Sequence, residues 1–572
     1  MRCISVGGHL LAAVAVVAGA VDVAQGSNPA VNHLESRQNS PSNSPPANEF
    51  LRRVGGTVSV LGDRRIYYDG GSVSQVDWVV DGRLSNPTNT TLSIDLSKSW
   101  SPENVSIAEI RRLDIPAMQY QSAIVDETNG CFYVWGGFSK FNIPAPSPRE
   151  FYKLCDNVWG PAETSSIDEF RQFAPMAFSA SASTKDAGFI FGGRAYRNTP
   201  VDGTENSKKY LSFNYTTRAW RYHDIPDDFS IDRTMWGARA IFVPNFGPNG
   251  LIFFLGGITG IETAGQAYLP FRSTVRFMDP VTNEWYKQEA TAPDGFPGTR
   301  HEHCIAGVAG ENNTYDIYMF GGSNNDEKAA YNSVHVLSLP SFTWSLVGRV
   351  PRSQVREGNG CAIVGKSQFL TWGGIEWGSE LEQVSSPDPF PQGLGIFDLN
   401  ALEWKDEYRA DAAAYTAHST LIAARASPTA WTSDEVSGFF NPNEDSPVIS
   451  ETPLPDNSDP ASSPPIGAIA GGVVGGVVLV AAAAGLWFFL RRRRAKTAAS
   501  AQQPDAAAAT TQYELVPGAG EHKYPAELHE QYQPAEMGAY GNEPPRPVHE
   551  MDGGYNTGGY NNGGYNNTNY RP

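Results

Sequence analysis

Positive charge and cysteine are scarce in this chain. Lys and Arg number 43 against 61 Asp and Glu, a net charge of −18, and only five cysteines occur in 572 residues. The charge deficit argues against nucleic acid or anionic membrane surfaces as partners. Catalytic signatures are missing too: there is no GxSxG, HExxH, CxxC or phosphate-binding glycine loop, so the chemistries those motifs carry have no anchor. No catalytic residue, metal site or cofactor is expected. Long apolar runs are limited to one near each end.

What is abundant is a repeat. Six apolar runs end in Gly-Gly, at Gly70-Gly71, Gly136-Gly137, Gly192-Gly193, Gly256-Gly257, Gly321-Gly322 and Gly373-Gly374. Each is followed by a second run closed by a tryptophan: Trp100, Trp159, Trp220, Trp285, Trp344 and Trp404, spaced 59, 61, 65, 59 and 60 apart. The runs before Gly-Gly are aromatic and β-branched, and too short for helices. Being apolar throughout, they suit strands buried on both faces. The doublets allow a backbone conformation or close approach that a Cβ would block. An apolar stretch before each run and alternating stretches after it make four strands per unit, the arrangement of a radial β-propeller.

These residues resemble the kelch repeat over about 55–408. The resemblance implies an all-β fold, a six-bladed kelch β-propeller. A seventh blade would have to come from 409–440, which contains Trp431 but no Gly-Gly. Gly-Gly and Trp are read as scaffold.

Residues 1–26 read as a secretory signal: Arg2, an apolar core at 10–17, then small residues. Residues 466–490 carry no charge and end in Trp487, Phe488 and Phe489 before Arg491 to Arg494. At about 1.5 Å per residue this segment can span a bilayer, and the arginines keep the tail cytoplasmic. The expectation is a type I protein of the plasma membrane or another secretory-pathway membrane, propeller outside. Residues 27–54 read as a flexible leader, 409–465 as a Pro/Ser/Asp-rich stalk and 491–572 as a disordered tail. This layout resembles fungal single-pass surface kelch proteins. Gly467, Gly471 and Gly475 share a helical face that would admit a homodimer through the span. Pro544 and Pro547 fit a minimal PxxP site for an SH3-like partner, or a plain solvated linker.

Outside the membrane the sequons Asn89, Asn104, Asn214 and Asn312 become usable for glycosylation. Four cysteines remain beyond the signal. Cys131 and Cys155 begin and end one hairpin, in a register that sets Tyr133 opposite Lys153. Cys304 and Cys361 fall at matching positions on neighbouring first strands. They read as a second disulfide, with free buried thiols as the alternative.

Propellers bind at the mouth of the channel. The residues before the first strands are Tyr120, Arg233, Trp236, Arg300, His301, Glu302, Arg356 and Glu357, a mixture suited to gripping sugars or peptides. The leading expectation is a module that binds a glycan or protein partner; passive structure is a further reading. The enzymatic alternative is a copper radical oxidase acting on extracellular carbohydrate alcohols, by resemblance to galactose-oxidase-like propellers. His301 and His303, two apart and expected on one face, are its best local match.

Overall fold

A computed structural model describes residues 43–441, apart from 63, 77–84, 113–114, 140–150, 171–173, 196–205, 262–264, 272–273, 379 and 426–429. The signal, the leader through 42, the stalk from 442, the span 466–490 and the tail with Pro544 and Pro547 lie outside the described residues. Among those described, no helix is long and apolar enough to cross a membrane.

The described chain is mostly β: six of its eight sheets each run through four antiparallel strands in sequence order. The inner strands are Thr57–Leu61, Ser122–Asp126, Ala180–Ser183, Arg239–Val243, His301–Gly310 and Gly360–Val364. Each packs beside the next, and Gly360–Val364 packs beside Thr57–Leu61. All six line one central cavity.

The second strands explain the apolar runs. In Cys131–Trp135 every residue is buried. Phe132 and Val134 enter the seam shared with the first sheet, and Cys131, Tyr133 and Trp135 the seam shared with the third. Period-two alternation thus feeds two cores from one strand. Apolar clusters fill every remaining seam, including the one where Leu370 and Trp372 of the sixth sheet meet Ile66 and Tyr68 of the first.

The doublets join neighbouring sheets. The second glycine of each donates its N–H to a carbonyl in the segment entering the next sheet: Gly71 to Met118, Gly137 to Met176, Gly193 to Met235, Gly257 to Arg300, Gly322 to Arg356 and Gly374 to Arg53, at 2.6–2.9 Å. The first glycine sits directly over that carbonyl. A Cβ on Gly321 would stand 2.6 Å from the Arg356 oxygen, and one on Gly373 2.7 Å from that of Arg53.

Two boundaries move. The leader expected through 54 instead ends in a strand, Phe50–Val54, paired with Ser72–Gln75, because Arg53 supplies the carbonyl that receives Gly374. The stalk expected from 409 begins later, since the chain through Asn441 packs on the sheets. Phe440 stacks with Trp431 at 5.6 Å and meets Phe246, Phe277 and Phe342. The helix Asp434–Phe440 that holds it is capped by the Ser433 hydroxyl, which accepts from Val436 N. Trp100 also departs from its expected place. The other five tryptophans lie on fourth strands, but Trp100 precedes Ile107–Arg111 and bridges Tyr408, with the rings stacked at 5.1 Å.

Both cysteine pairs stand at disulfide distance. Cys131 lies opposite Cys155 in the ladder, with Tyr133 opposite Lys153. Cα–Cα separations are 4.4 Å for Cys131–Cys155 and 5.7 Å for Cys304–Cys361.

Candidate functional site

The mouth is built from a second ring of backbone hydrogen bonds. Tyr120 N donates to Gly55 O, Phe178 to Tyr120, Gly237 to Phe178, Glu302 to Gly237, Gly358 to Glu302 and Gly55 to Gly358, at 2.6–3.3 Å. All six donors have positive φ, between 53° and 73°. Glycine takes this conformation freely, so Gly55, Gly237 and Gly358 need no explanation. Tyr120, Phe178 and Glu302 hold it against about 1 kcal/mol or more of strain each.

Those three side chains occupy the mouth. Tyr120 and Glu302 come from the second and fifth sheets, opposite one another in the ring. The hydroxyl and the carboxyl meet beside Gly358 and interact there, forming a bar between opposite sheets. Phe178 stacks on Tyr120 at 4.0 Å, and Phe138 lies over Tyr120 at 5.8 Å.

Beside the bar sits a second carboxyl. Glu357 accepts from the Ser323 hydroxyl and, at 3.5 Å, from Gln383 Nε2. Burial pushes each carboxyl up to about 7, and the charge of Glu302 is the next cause for Glu357. Arg239 and the Tyr120 hydroxyl act in the opposite sense on Glu302. Burial also drives the Tyr120 phenol well above its usual range. His301 Nδ1 lies 2.9 Å from Ser323 O. A carbonyl only accepts, so Nδ1 carries the proton and Nε2, 3.6 Å from Glu302 Oε1, is left as an acceptor. Burial lowers the His301 pKa, which keeps the ring neutral.

The eight expected mouth residues therefore divide. Tyr120, His301, Glu302 and Glu357 come together. Trp236 adjoins them, edge-on to His301 at 5.3 Å and to Phe178 at 6.0 Å, but is only 4% exposed. Arg300 and Arg356 are fully buried scaffold. Arg300 donates to Gly298 O and Gly321 O and lies 3.8 Å over Tyr331. Arg356 donates to Gly373 O and Asp388 and lies 4.2 Å over Phe390. Their guanidinium groups satisfy doublet carbonyls, so they are not placed to touch a ligand. Arg233 pairs with exposed Asp227 at 3.1 Å, away from the ring.

Phe178, Arg239 and Ser323 were missed from sequence. Aligning the residue two places before the inner strand in five sheets with Glu302, the second residue of the fifth sheet's inner strand, would have exposed Phe178, because that column reads Gly, Tyr, Phe, Gly, Glu, Gly. Nothing local marks Arg239 or Ser323.

His301 and His303 do not form the shared face expected of them. The positive φ of Glu302 interrupts the alternation. His301 lies edge-on to Trp236 and Tyr268, while His303 is set against Phe271. Among the described residues no group of three or more His, Cys, Asp and Glu side chains could hold a metal. Of the sequons, Asn89, Asn104 and Asn312 are exposed. Asn214 is half-buried, its Oδ1 accepting from Thr216 N and Thr217 N.

No family model matches this chain. Over 433 residues, 68% of its length, it is 23% identical to a Kelch repeat-containing protein of Arthroderma benhamiae. The match covers 60% of that relative. This similarity and the antiparallel four-stranded sheets agree on an all-β propeller of kelch type.

Proposed function

We propose that this chain is a cell-surface binding protein whose six-bladed propeller takes an extracellular glycan or protein partner at the Tyr120–Glu302 mouth. The cycle of six inner strands and two six-membered hydrogen-bond rings supports the blade count. The apolar leader, the uncharged segment 466–490 and the arginine run after it support a single-pass topology with the tail in the cytoplasm. One observation carries the site: three non-glycine residues are held at positive φ around the channel mouth, where the fold itself needs only glycine. Strain retained at such a place marks function.

The mouth offers polar edges more than open rings. Tyr120 is sandwiched between Phe138 and Phe178, and Trp236 is buried. Glu302 and Glu357, 8% exposed each, also show only a narrow edge, and we assign recognition to these carboxyls on their chemistry rather than to stacking against an aromatic face. Full-length protein in detergent, probed on glycan and surface-protein arrays, should bind at least tenfold more tightly than the Glu302→Gln/Glu357→Gln variant. Equal binding by parent and variant would remove the mouth from consideration. Protease accessibility of a C-terminal epitope in sealed vesicles tests the topology separately.

A further inference from the structure

Next to Tyr120 and Phe178 lies a partly open cavity of about 180 Å³, lined by all six inner strands and their lead-in residues. Its wall is polar: Thr57, Gln121, Ser179, Ser181 and Asn359 line it around a single cation, Arg239. Protein surrounds Arg239 on all sides, yet the side chain keeps accessible surface, because that surface faces the cavity. One Nη1 hydrogen bond, to Ala238 O at 3.2 Å, uses part of its donor set. Among the described residues no carboxylate stands within ion-pair distance of it. Glu302 influences it from farther off and already holds the Tyr120 hydroxyl. Ser181, half-buried on the neighbouring inner strand Ala180–Ser183, lines the same wall.

An enclosed guanidinium without a partner is costly, and the planar fork matches a carboxylate in bidentate fashion. We infer that this cavity is a binding site for a small carboxylate, seated on Arg239 and hydrogen-bonded by the hydroxyl of Ser181. The volume equals that of about six waters, which limits the ligand to roughly the size of acetate or malonate. A free small acid and the carboxylate of a docked partner share this chemistry, and the free acids used in the test distinguish them.

The test uses purified full-length protein, with melting followed by tryptophan fluorescence at constant ionic strength. Acetate and malonate should raise Tm saturably, whereas chloride and inorganic phosphate should not. Arg239→Gln should weaken carboxylate binding at least 100-fold. Ser181→Ala, on the cavity wall and expected to leave the fold intact, should weaken it about tenfold. Equal response to all four anions, or a carboxylate affinity unchanged in Ser181→Ala and in Arg239→Gln, would overturn the proposal. So would the absence of any saturable shift in the parent protein.

Discussion

Two rings of hydrogen bonds run side by side around the channel, and they differ in one respect. The doublet ring uses glycine in all six sheets. The mouth ring uses glycine in three positions and Tyr120, Phe178 and Glu302 in the others. Both rings require positive φ. In the doublet ring a neighbouring carbonyl also occupies the space of a Cβ, so no other residue fits. At the mouth a Cβ on Gly55, Gly237 or Gly358 would meet side chains first, at 2.8–3.0 Å, so a side chain is admissible only where those neighbours yield and at the expense of strain. Uniformity there is imposed by packing; unevenness is where sequence can vary to suit a ligand.

Exchanging the two environments gives the largest expected effect. Gly321→Ala would set a Cβ 2.6 Å from the Arg356 oxygen at φ 75°. Backbone must shift, and a loss of about 3 kcal/mol or more is expected. Gly237→Ala, at φ 64° and 3.0 Å from the His301 Cβ, meets a side chain and should lose only about 1 kcal/mol. Chemical denaturation of both variants checks the contrast. Equal losses would mean that conformational strain alone, without the carbonyl contact, governs both rings.

The mouth carboxyls supply the next effect. Their raised pKa values mean that the folded state holds protons the unfolded state has released. Their contribution to stability therefore falls as pH rises from the ordinary carboxyl range through about 7. Buried His301 works the other way, losing stability as pH drops below its usual range. Comparing the parent with Glu302→Gln/Glu357→Gln isolates the carboxyl part. The variant's Tm should gain on the parent's by roughly 1 °C for each kcal/mol of this effect between pH 5 and pH 8, the shift expected for a propeller of this size. A constant difference across that range would show that the pair titrates normally.

The doublet ring could be read from sequence because its cause is local and repeated. Gly-Gly after an apolar strand means a close approach wherever it occurs, and the second strands are apolar on both faces because each feeds two seams. The mouth could be read only in part. Arg300 and Arg356 have the chemistry of ligand contacts, yet their length lets them reach the carbonyls of Gly321 and Gly373 inside the scaffold. Arg239 sits on a strand whose sequence reads as apolar, and faces the channel only because six sheets close around it. The Tyr120–Glu302 bar joins residues 182 positions apart, and their opposition follows from ring order rather than from spacing in the chain.

Within the bar, Tyr120→Phe separates the contact of the phenol with Glu302 from the stacking. Phe138 and Phe178 still enclose the ring, so the loss should be about 1 kcal/mol. The phenol holds the Glu302 pKa down, and its removal should move the mouth titration further up. Monitoring the pH dependence of tryptophan fluorescence would detect this, and an unmoved titration would argue that the two groups do not interact across the channel.

The smallest effect is expected at Arg233, whose charge and position before an inner strand made it a mouth candidate. Its guanidinium instead pairs with Asp227, a side chain 92% exposed, and is itself 36% exposed. Water screens such a pair, and ordering two long side chains offsets most of what remains. Arg233→Ala should therefore change stability by less than about 0.5 kcal/mol and leave partner binding at the mouth within twofold of the parent. A tenfold loss of binding without a change in Tm would extend the binding surface outward from the ring to the segment around Asp227, and would break the division between a working mouth and a passive rim.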